Sequence, residues 1–443
     1  VQIALPWVNQ LIGQALPSDL FGNPALLVLL VGVAVVVGLL AGSYPAIFLS
    51  GFQPIAVLKG ELQTGTRGVI LRNGLVVLQF TISIMLIVGT FVVYRQVDFM
   101  QSKRLGFDTE QVVVVENAFR LQDKREAFQQ ALRSSPDVLL ASGANAMPGE
   151  AVGGVMFQPK GAGSENMTGR AMVIDHDYLE TMGMRLLEGR SFAREFPTDT
   201  LAAIINEAAA RDFGFENPIG QQIVRADDGR VYTIVGVVEN FHFQSLHHSI
   251  SALVMLKTGS AAGHFVGFIP IRFKAGKTEE ILAFLESTWR EFAPDSPLKY
   301  SFLDEKFAAF YTAEKQTGRI FAVFTGLAIF VACLGLFGLA AFMAQKRTRE
   351  IGIRKVLGAT VANVSALLSK DFVKLVLVAN LIALPAAWFA MSQWLQGFAY
   401  RAEIGWWIFA LAGGLALVIA LLTVSSQAVQ AALANPVDSL RYE

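Results

Sequence analysis

Residues 320–360 read IFAVFTGLAIFVACLGLFGLAAFMAQ and then KRTREIGIRKVLGAT. The first part, 320–345, holds no Asp, Glu, Lys or Arg. A helix needs about 20 apolar residues to cross the hydrocarbon core of a bilayer, and a charge at its centre costs roughly 2.5–3.5 kcal/mol on insertion scales. The second part is a dense basic run that begins where the apolar run stops. A clean span ending in a basic loop is the pattern of a membrane helix whose end faces the cytoplasm.

The same pattern recurs along the chain. Charge-free stretches cover 20–58, 73–94, 320–345, 375–400 and 404–437. They predict five spans, near 25–48, 74–94, 320–343, 374–395 and 405–425. The 443 residues are 53% hydrophobic and 16% charged, with a mean hydropathy of +0.47. That is too apolar for an ordinary soluble protein. The zero net charge hides an asymmetry. Residues 96–318 hold 22 Lys+Arg and 29 Asp+Glu, and the remainder holds 14 and 7. An acidic soluble insert therefore interrupts a basic membrane part. Nothing resembles a nucleic-acid footprint.

Loop charges set the orientation. Lys346, Arg347, Arg349, Arg354, Lys355 and Lys370 outnumber Glu350 and Asp371 between spans three and four. Lys59, Arg67 and Arg72 face only Glu61 between spans one and two. These two loops and the C-terminus are expected inside, and residues 95–319 outside. The N-terminus is then also outside. With no positively charged leader before the first span, more chain is expected before Val1.

Residues 52–61 (FQPIAVLKGE) and 434–443 (ANPVDSLRYE) share a Pro-centred pattern, and each follows an apolar span. They read as an internal duplication. The division is then 1–61, the last span and tail of a preceding repeat; 62–95, a linker and the first span of a second repeat; 96–318, an extracytoplasmic α+β domain; and 319–443, a three-span part with a cytoplasmic loop at 345–371. Within the insert, Val112–Val115, Ala203–Asn206, Tyr232–Val238 and 265–273 read as strands. Residues 121–134, EAAARDFG and TEEILAFLESTWREF read as helical, and the Gly-rich 143–170 reads as loop. The mixture predicts roughly two subdomains. Tyr94–Arg104 and Asp304–Arg319 continue the flanking spans and predict a helical stalk.

In the basic loop, Ile351, Ile353, Val356 and Leu357, then Val361, Val364, Leu367 and Leu368, form an apolar face at helical spacing. Gly358 is placed to end or kink the first helix. Two readings stay open from the residues alone: a plain interfacial helix, or a helix that docks in a groove of a soluble partner.

Thr348–Thr360 (TREIGIRKVLGAT) resembles the signature loop of the FtsX/MacB-type ABC permeases, the type VII mechanotransmission family. Val235–Leu246 (VGVVENFHFQSL) is similar to part of the MacB-like periplasmic core domain, and Asn435–Leu440 (NPVDSL) fits the tail. The resemblance is to the C-terminal repeat of an eight-span member. It implies a membrane α-helical bundle of five spans with an inserted α+β domain on a helical stalk, in the bacterial inner membrane. It implies an ABC ATPase partner docked on Arg349, Glu350, Ile351, Gly352, Arg354, Lys355 and Gly358, with a weaker contribution from Pro436 and Leu440. ATP and Mg are expected on that ATPase, so this chain is expected to carry no cofactor, metal or catalytic residue and not to be an enzyme. Further implied partners are membrane lipid, a second permease repeat or protomer, and a periplasmic adaptor. The implied work is export of peptides, toxins or other envelope substrates. The alternative is a regulatory transmembrane signalling protein that controls a cell-envelope enzyme or lipoprotein release.

Other motifs carry less. Gly276-Lys277-Thr278 lacks the upstream Gly of a phosphate loop, since that position is Ile271, and Thr278 reads as a helix N-cap. His242, His247 and His248 offer zinc-type ligands but no Cys nearby, and a structural role is favoured. Cys333, in an apolar run, reads as a small hydrophobe. Gly32, Gly38, Gly42, Gly326, Gly335 and Gly338 allow close helix contacts. A secondary transporter would place ionisable groups within its spans, and the five charge-free stretches hold no Asp, Glu, Lys or Arg.

Overall fold

The computed structural model describes residues 24–50, 66–150, 152–161, 166–259, 266–347, 350, 353–354 and 357–433. Both copies of the duplicated segment, with Pro436 and Leu440, lie outside these described residues. In chain order the elements are α1 (Pro24–Ser50), α2 (Thr66–Ser102), β1 (Val112–Glu116), α3 (Arg125–Leu132), β2 (Val138–Ala141), β3 (Gly154–Pro159) and β4 (Met167–Ile174). Then come α4 (Tyr178–Thr181), β5 (Leu186–Gly189), β6 (Ala202–Asn206), α5 (Glu207–Asp212), β7 (Gln222–Arg225), β8 (Val231–Val238) and β9 (Leu253–Lys257). Last are β10 (Ile269–Phe273), α6 (Thr278–Phe292), β11 (Lys299–Phe302), α7 (Leu303–Phe310), α8 (Thr312–Lys346), α9 (Val361–Leu395) and α10 (Trp406–Leu433). The chain forms two compact units. One, the helical unit, comprises Val1–Gln96, Ala313–Trp394 and Glu403–Glu443; the other, the α+β unit, comprises Val97–Thr312 and Leu395–Ala402.

Four helices of the described residues are long and apolar enough to cross a membrane: Ile70–Ser102, Thr312–Lys346, Ser365–Leu395 and Trp406–Val429. α1 carries the apolar stretch Leu27–Leu39. Four of the five expected spans coincide with these four helices, and the expected span 25–48 lies within α1.

In the helical unit, small residues set how closely helices approach. α10 buries Ile408, Ala412, Ala416, Ala420, Val424 and Ala428, one on every turn. This alanine stripe lets neighbouring backbones come close, where lipid gives no hydrophobic drive to associate. α9 buries Phe372, Val376, Ala379, Ala383, Ala387 and Met391 on a matching face. A Cβ at Gly413 of α10 would meet Asn380 Oδ1 of α9 at 2.5 Å. Outward, α8 exposes Phe324, Leu327, Phe330, Leu334 and Phe337. Apolar side chains facing out suit a hydrocarbon solvent.

α2 and α8 pair antiparallel along a seam. Arg72 lies over the Phe342 ring. Gln79 Nε2 donates to Val331 O at 2.9 Å. Thr90 and Thr325 share a hydroxyl hydrogen bond at 2.9 Å. The space of a Cβ on Gly89 is filled by Phe321, and Gly318 faces Val93. From Arg72 to Val93 the seam runs about 30 Å at 1.5 Å per residue, the thickness of the hydrocarbon core.

The α+β unit holds two sheets. The first, in the order β11-β1-β10-β2, is antiparallel throughout. α3 and α6 cover it through Phe128, Leu132, Ile281, Leu285 and Trp289. The second runs β5-β8-β6-β9-β4-β3-β7, and β7 returns to pair with β8. β7 takes the first half of β8, at Val231–Thr233, and β5 takes the second half, at Gly236–Val238. Six strands therefore close on themselves and β5 extends the rim. β6 and β9 are buried on both faces, which explains their unbroken apolar runs.

Three expectations change here. The stretch 143–170 is not loop throughout, because it contains β3 and the start of β4. Glycines hid the alternation in which Phe157 points inward and Met156 outward. The stalk segment Asp304–Arg319 is not one helix: α7 ends at Phe310, and Tyr311 leaves the helical region at φ −102, ψ 12. Thr278 is the first residue of α6 rather than its N-cap, which is Lys277.

Candidate functional site

In the described part of the basic loop Glu350, Ile353 and Arg354 are helical, and a turn at Gly358 leads into α9. Gly358 takes φ +91, and Ala359 N donates to Arg354 O at 2.9 Å. That six-residue bond around a left-handed glycine is a Schellman end. Two residues later Thr360 starts α9. Its Oγ1 accepts from Asn363 N at 3.3 Å, and its carbonyl accepts from the same N–H at 3.1 Å. A glycine stop and a threonine start thus set the turn between the loop helix and α9.

Glu350 and Arg354 form an i,i+4 pair at 2.7 Å, and Arg347 reaches Asp371 Oδ2 on α9 at 3.2 Å. Ile353 is 54% exposed and Leu357 80% exposed. Two bare apolar side chains beside an exposed ion pair make an amphipathic surface. Of the seven residues expected to dock an ATPase, Glu350, Arg354 and Gly358 are placed in this way. Arg349, Ile351, Gly352 and Lys355 lie outside the described residues. The joint's second half, Thr360 with Asp371, was missed in the sequence, although threonine before an apolar helical run is a start signal.

The histidines pack on aromatics of the segment between α9 and α10. His242 is 5% exposed and meets the Tyr400 ring edge-on at 4.8 Å. Burial, with Lys103 nearby, lowers its pKa to about 4, so it is neutral at physiological pH. His247 stacks on Phe398 at 4.3 Å. Among the described residues no group of three His, Cys, Asp or Glu is placed to hold a metal. At Gly276-Lys277-Thr278, Gly276 makes a left-handed turn and Lys277 pairs with Glu280 at 2.9 Å, with no phosphate cradle formed.

One charged cluster of the α+β unit centres on a histidine. His176 Nε2 lies 2.6 Å from Arg194 Nε and 3.1 Å from Asp177 Oδ2, and it bonds one of them at a time, as acceptor or as donor according to its proton; Asp177 also pairs with Arg133. The His176 hydrogen bond lowers the pKa of Asp177. Asp175 accepts from Gly143 N and from Gln129 Nε2, yet burial raises its pKa to about 6. The partners of His176 are charged groups, so the cluster is a salt-bridge network rather than a nucleophile and its base.

Residues 322–436 match the FtsX-like permease C-terminal model, and residues 74–283 match the MacB-like periplasmic core domain. The chain belongs to the FtsX/MacB-type permeases. Permeases of this family work with ABC ATPase partners and are generally not enzymes themselves. Among solved structures, this permease is similar to the periplasmic region of MacB from Actinobacillus actinomycetemcomitans. The match covers 48% of this chain and 98% of that one, at 14% identity and a TM-score of 0.36. A domain of a putative permease protein from Porphyromonas gingivalis matches over 44% of this chain and 91% of its own, at 19% identity and a TM-score of 0.32. The extracellular domain of the noncanonic ABC-type transporter YknZ from Gram-positive bacteria matches over 40% and 87%, at 14% identity and a TM-score of 0.30. No curated protein matches the permease.

Proposed function

We propose that this permease passes the energy of ATP hydrolysis by a separate ATPase, as motion, to its α+β unit on the far side of a bacterial inner membrane. The ATPase docks on the loop 345–371. Its closure moves the loop helix, the stiff Gly358–Thr360 joint hands the motion to α9, and Arg347–Asp371 ties the end of α8 to α9. α8 and α2 then act as one paired rod. The work done is export of peptides, toxins or other envelope substrates, and the full assembly has a fifth span and a second repeat or protomer.

The observation that carries this reading is the α2–α8 seam. Contacts from Arg72–Phe342 to Val93–Gly318 join the two helices that flank the α+β unit in the chain. Two helices locked along a bilayer's thickness move together, whereas two free helices would slide. The spans, besides, hold no ionisable group at their centres of the kind an ion-coupled carrier needs.

The test is co-purification. Tagged full-length permease is co-expressed with the ABC ATPases of its source bacterium, and one of them is expected to be retained. Arg349→Glu with Arg354→Glu should abolish retention. Undiminished retention by the double variant overturns the docking site, and nucleotide hydrolysis by the permease alone overturns the coupling scheme.

A further inference from the structure

The α+β unit includes Leu395–Ala402, the short connection between α9 and α10. No charge separates this segment from the end of α9 in the sequence. Its apolar side chains nonetheless have a different role from those of the helix. Phe398 is 6% exposed and its ring stacks on His247, with planes 27° apart. Ala399 N donates to His247 O at 3.2 Å, and His247 Nδ1 lies 3.4 Å from Gly397 O. Tyr400 takes the edge of His242 on its ring, and Lys103 Nζ sits 3.9 Å from the ring centroid. The Tyr400 hydroxyl lies 3.5 Å from Ile250 N.

These contacts come from three separate parts of the unit: the end of α2 at Lys103, the strand-exit segment at His242 and His247, and Ile250 just before β9. A connection that only had to turn between two helices would need no such contacts. A polar Gly- or Asn-containing turn would serve. Instead the two aromatics of this segment are both seated, one stacked on an imidazole and one between an imidazole and an ammonium, and each arrangement is favourable.

We propose that Phe398–Tyr400 is a latch by which the α+β unit grips the α9–α10 connection, giving it a third attachment to the membrane helices beside α2 and α8. Through this latch, displacement of the unit is transmitted to α9 and α10 as well as to the paired rod. The transmission rests on the coupling function proposed above; the grip itself does not.

Two measurements on the full chain in membrane vesicles test the grip. In a Cys333→Ala background, His247→Cys with Ala399→Cys is expected to oxidise to a disulfide, since a backbone hydrogen bond joins the two positions. A control pair, Phe119→Cys with Ala399→Cys, is expected not to. Trypsin cleavage after Arg401 should be slow in the parent and about tenfold faster in Phe398→Ala, because the latch must open before the bond is reached. His247→Ala should have the same effect and His247→Phe should restore protection, which separates stacking from general misfolding. Equal oxidation of both Cys pairs, or equal cleavage of parent and Phe398→Ala, overturns the latch. The transmission is read with a co-purified ATPase. Phe398→Ala should keep the ATPase bound but lose the change in tryptic pattern that ATP plus vanadate causes in the parent. A retained change overturns the transmission, while failure of the parent to retain any ATPase counts against the coupling function and leaves the grip to be decided by the first two measurements.

Discussion

Gly89 of α2 makes room for the ring of Phe321 of α8: a Cβ placed on the glycine would lie 2.7 Å from Phe321 Cε1. The adjacent Thr90 bonds Thr325, one turn along α8 from Phe321, so ring and hydroxyl pair hold the helices together at neighbouring positions. Gly89→Ala must push the ring outward and stretch that bond. The expected cost is about 1–3 kcal/mol, the usual penalty for overpacking. Phe321→Ala alone leaves a void, but in Gly89→Ala it should recover part of the loss, because the new methyl fills the space. A double-mutant cycle on thermal stability in detergent checks this. Strictly additive effects would mean that the two residues do not share the space.

Gly358 and the Glu350–Arg354 pair separate backbone from charge in the loop. Gly358→Ala places a Cβ in a left-handed conformation, at a cost of roughly 1–2 kcal/mol. It should loosen the joint and weaken ATPase retention without changing any charge. Thr360→Ala, which removes the cap, should act in the same direction and less strongly. The swap Glu350→Arg with Arg354→Glu keeps an i,i+4 pair worth only about 0.3–0.5 kcal/mol. If the pair merely steadies the helix, the swap retains ATPase as the parent does. The docking role proposed for Arg354 requires that retention be lost.

What the sequence made legible follows the range of the forces involved. Span positions could be read because hydrocarbon acts on each residue separately, so a charge-free run is a local record of it. The strand at Val112–Val115 and the amphipathic α6 were likewise local. The ring closure of β7 onto β8 was not, since it depends on partners with no mark of their own in either strand. The break at Tyr311 was hidden inside a polar run of good helix formers. In the loop, Gly358 could be read as a stop from its residue type alone, whereas the tie from Arg347 to Asp371 needed the turn of the chain to be known. Phe398 and Tyr400 looked like the tail of a span because packing on an imidazole and burial in lipid select the same side chains.

Asp175 and His242 should have opposing effects on the pH dependence of stability. Burial raises the Asp175 pKa from 3.8 to about 6. The folded state then binds the proton first, so this group adds stability as pH falls from about 6 to about 4. Burial and then Lys103 lower the His242 pKa from 6.5 to about 4. The unfolded state binds that proton first, so stability is lost as pH falls over nearly the same window. Each effect is up to about 3 kcal/mol, and in the parent they largely cancel. Asp175→Asn should make the permease less stable at pH 4 than at pH 6.5 relative to the parent, and His242→Phe should do the reverse. Pulse proteolysis of the full chain across this range reads both slopes. Slopes of the same sign in the two variants would contradict the assignment.

Lys306 is the third test of charge in the α+β unit. Its Nζ lies 3.0 Å from Glu116 Oε1 on β1 and 2.6 Å from Glu150 Oε1, so one ammonium from α7 ties together a strand and a turn. Burial pushes the Glu116 carboxyl up, but hydrogen bonds from Lys306 and Ser301 outweigh it and leave the pKa lowered. Lys306→Met leaves two partly buried carboxylates facing each other without a cation. A loss of about 1–3 kcal/mol is expected, between the values for exposed and fully buried pairs. Because the folded pKa of Glu116 lies below its ordinary 4.5, its contribution is present above about pH 4.5 and is lost as pH falls further. The methionine variant should therefore lose less stability than the parent on acidification below pH 4.5, and adding Glu116→Gln and Glu150→Gln should restore much of its stability at pH 7. A denaturant midpoint series on the three proteins decides it. If the lysine variant weakens equally at every pH, its contact with the Phe268 ring, 5.1 Å away, accounts for the effect and its ion pairs with Glu116 and Glu150 do not.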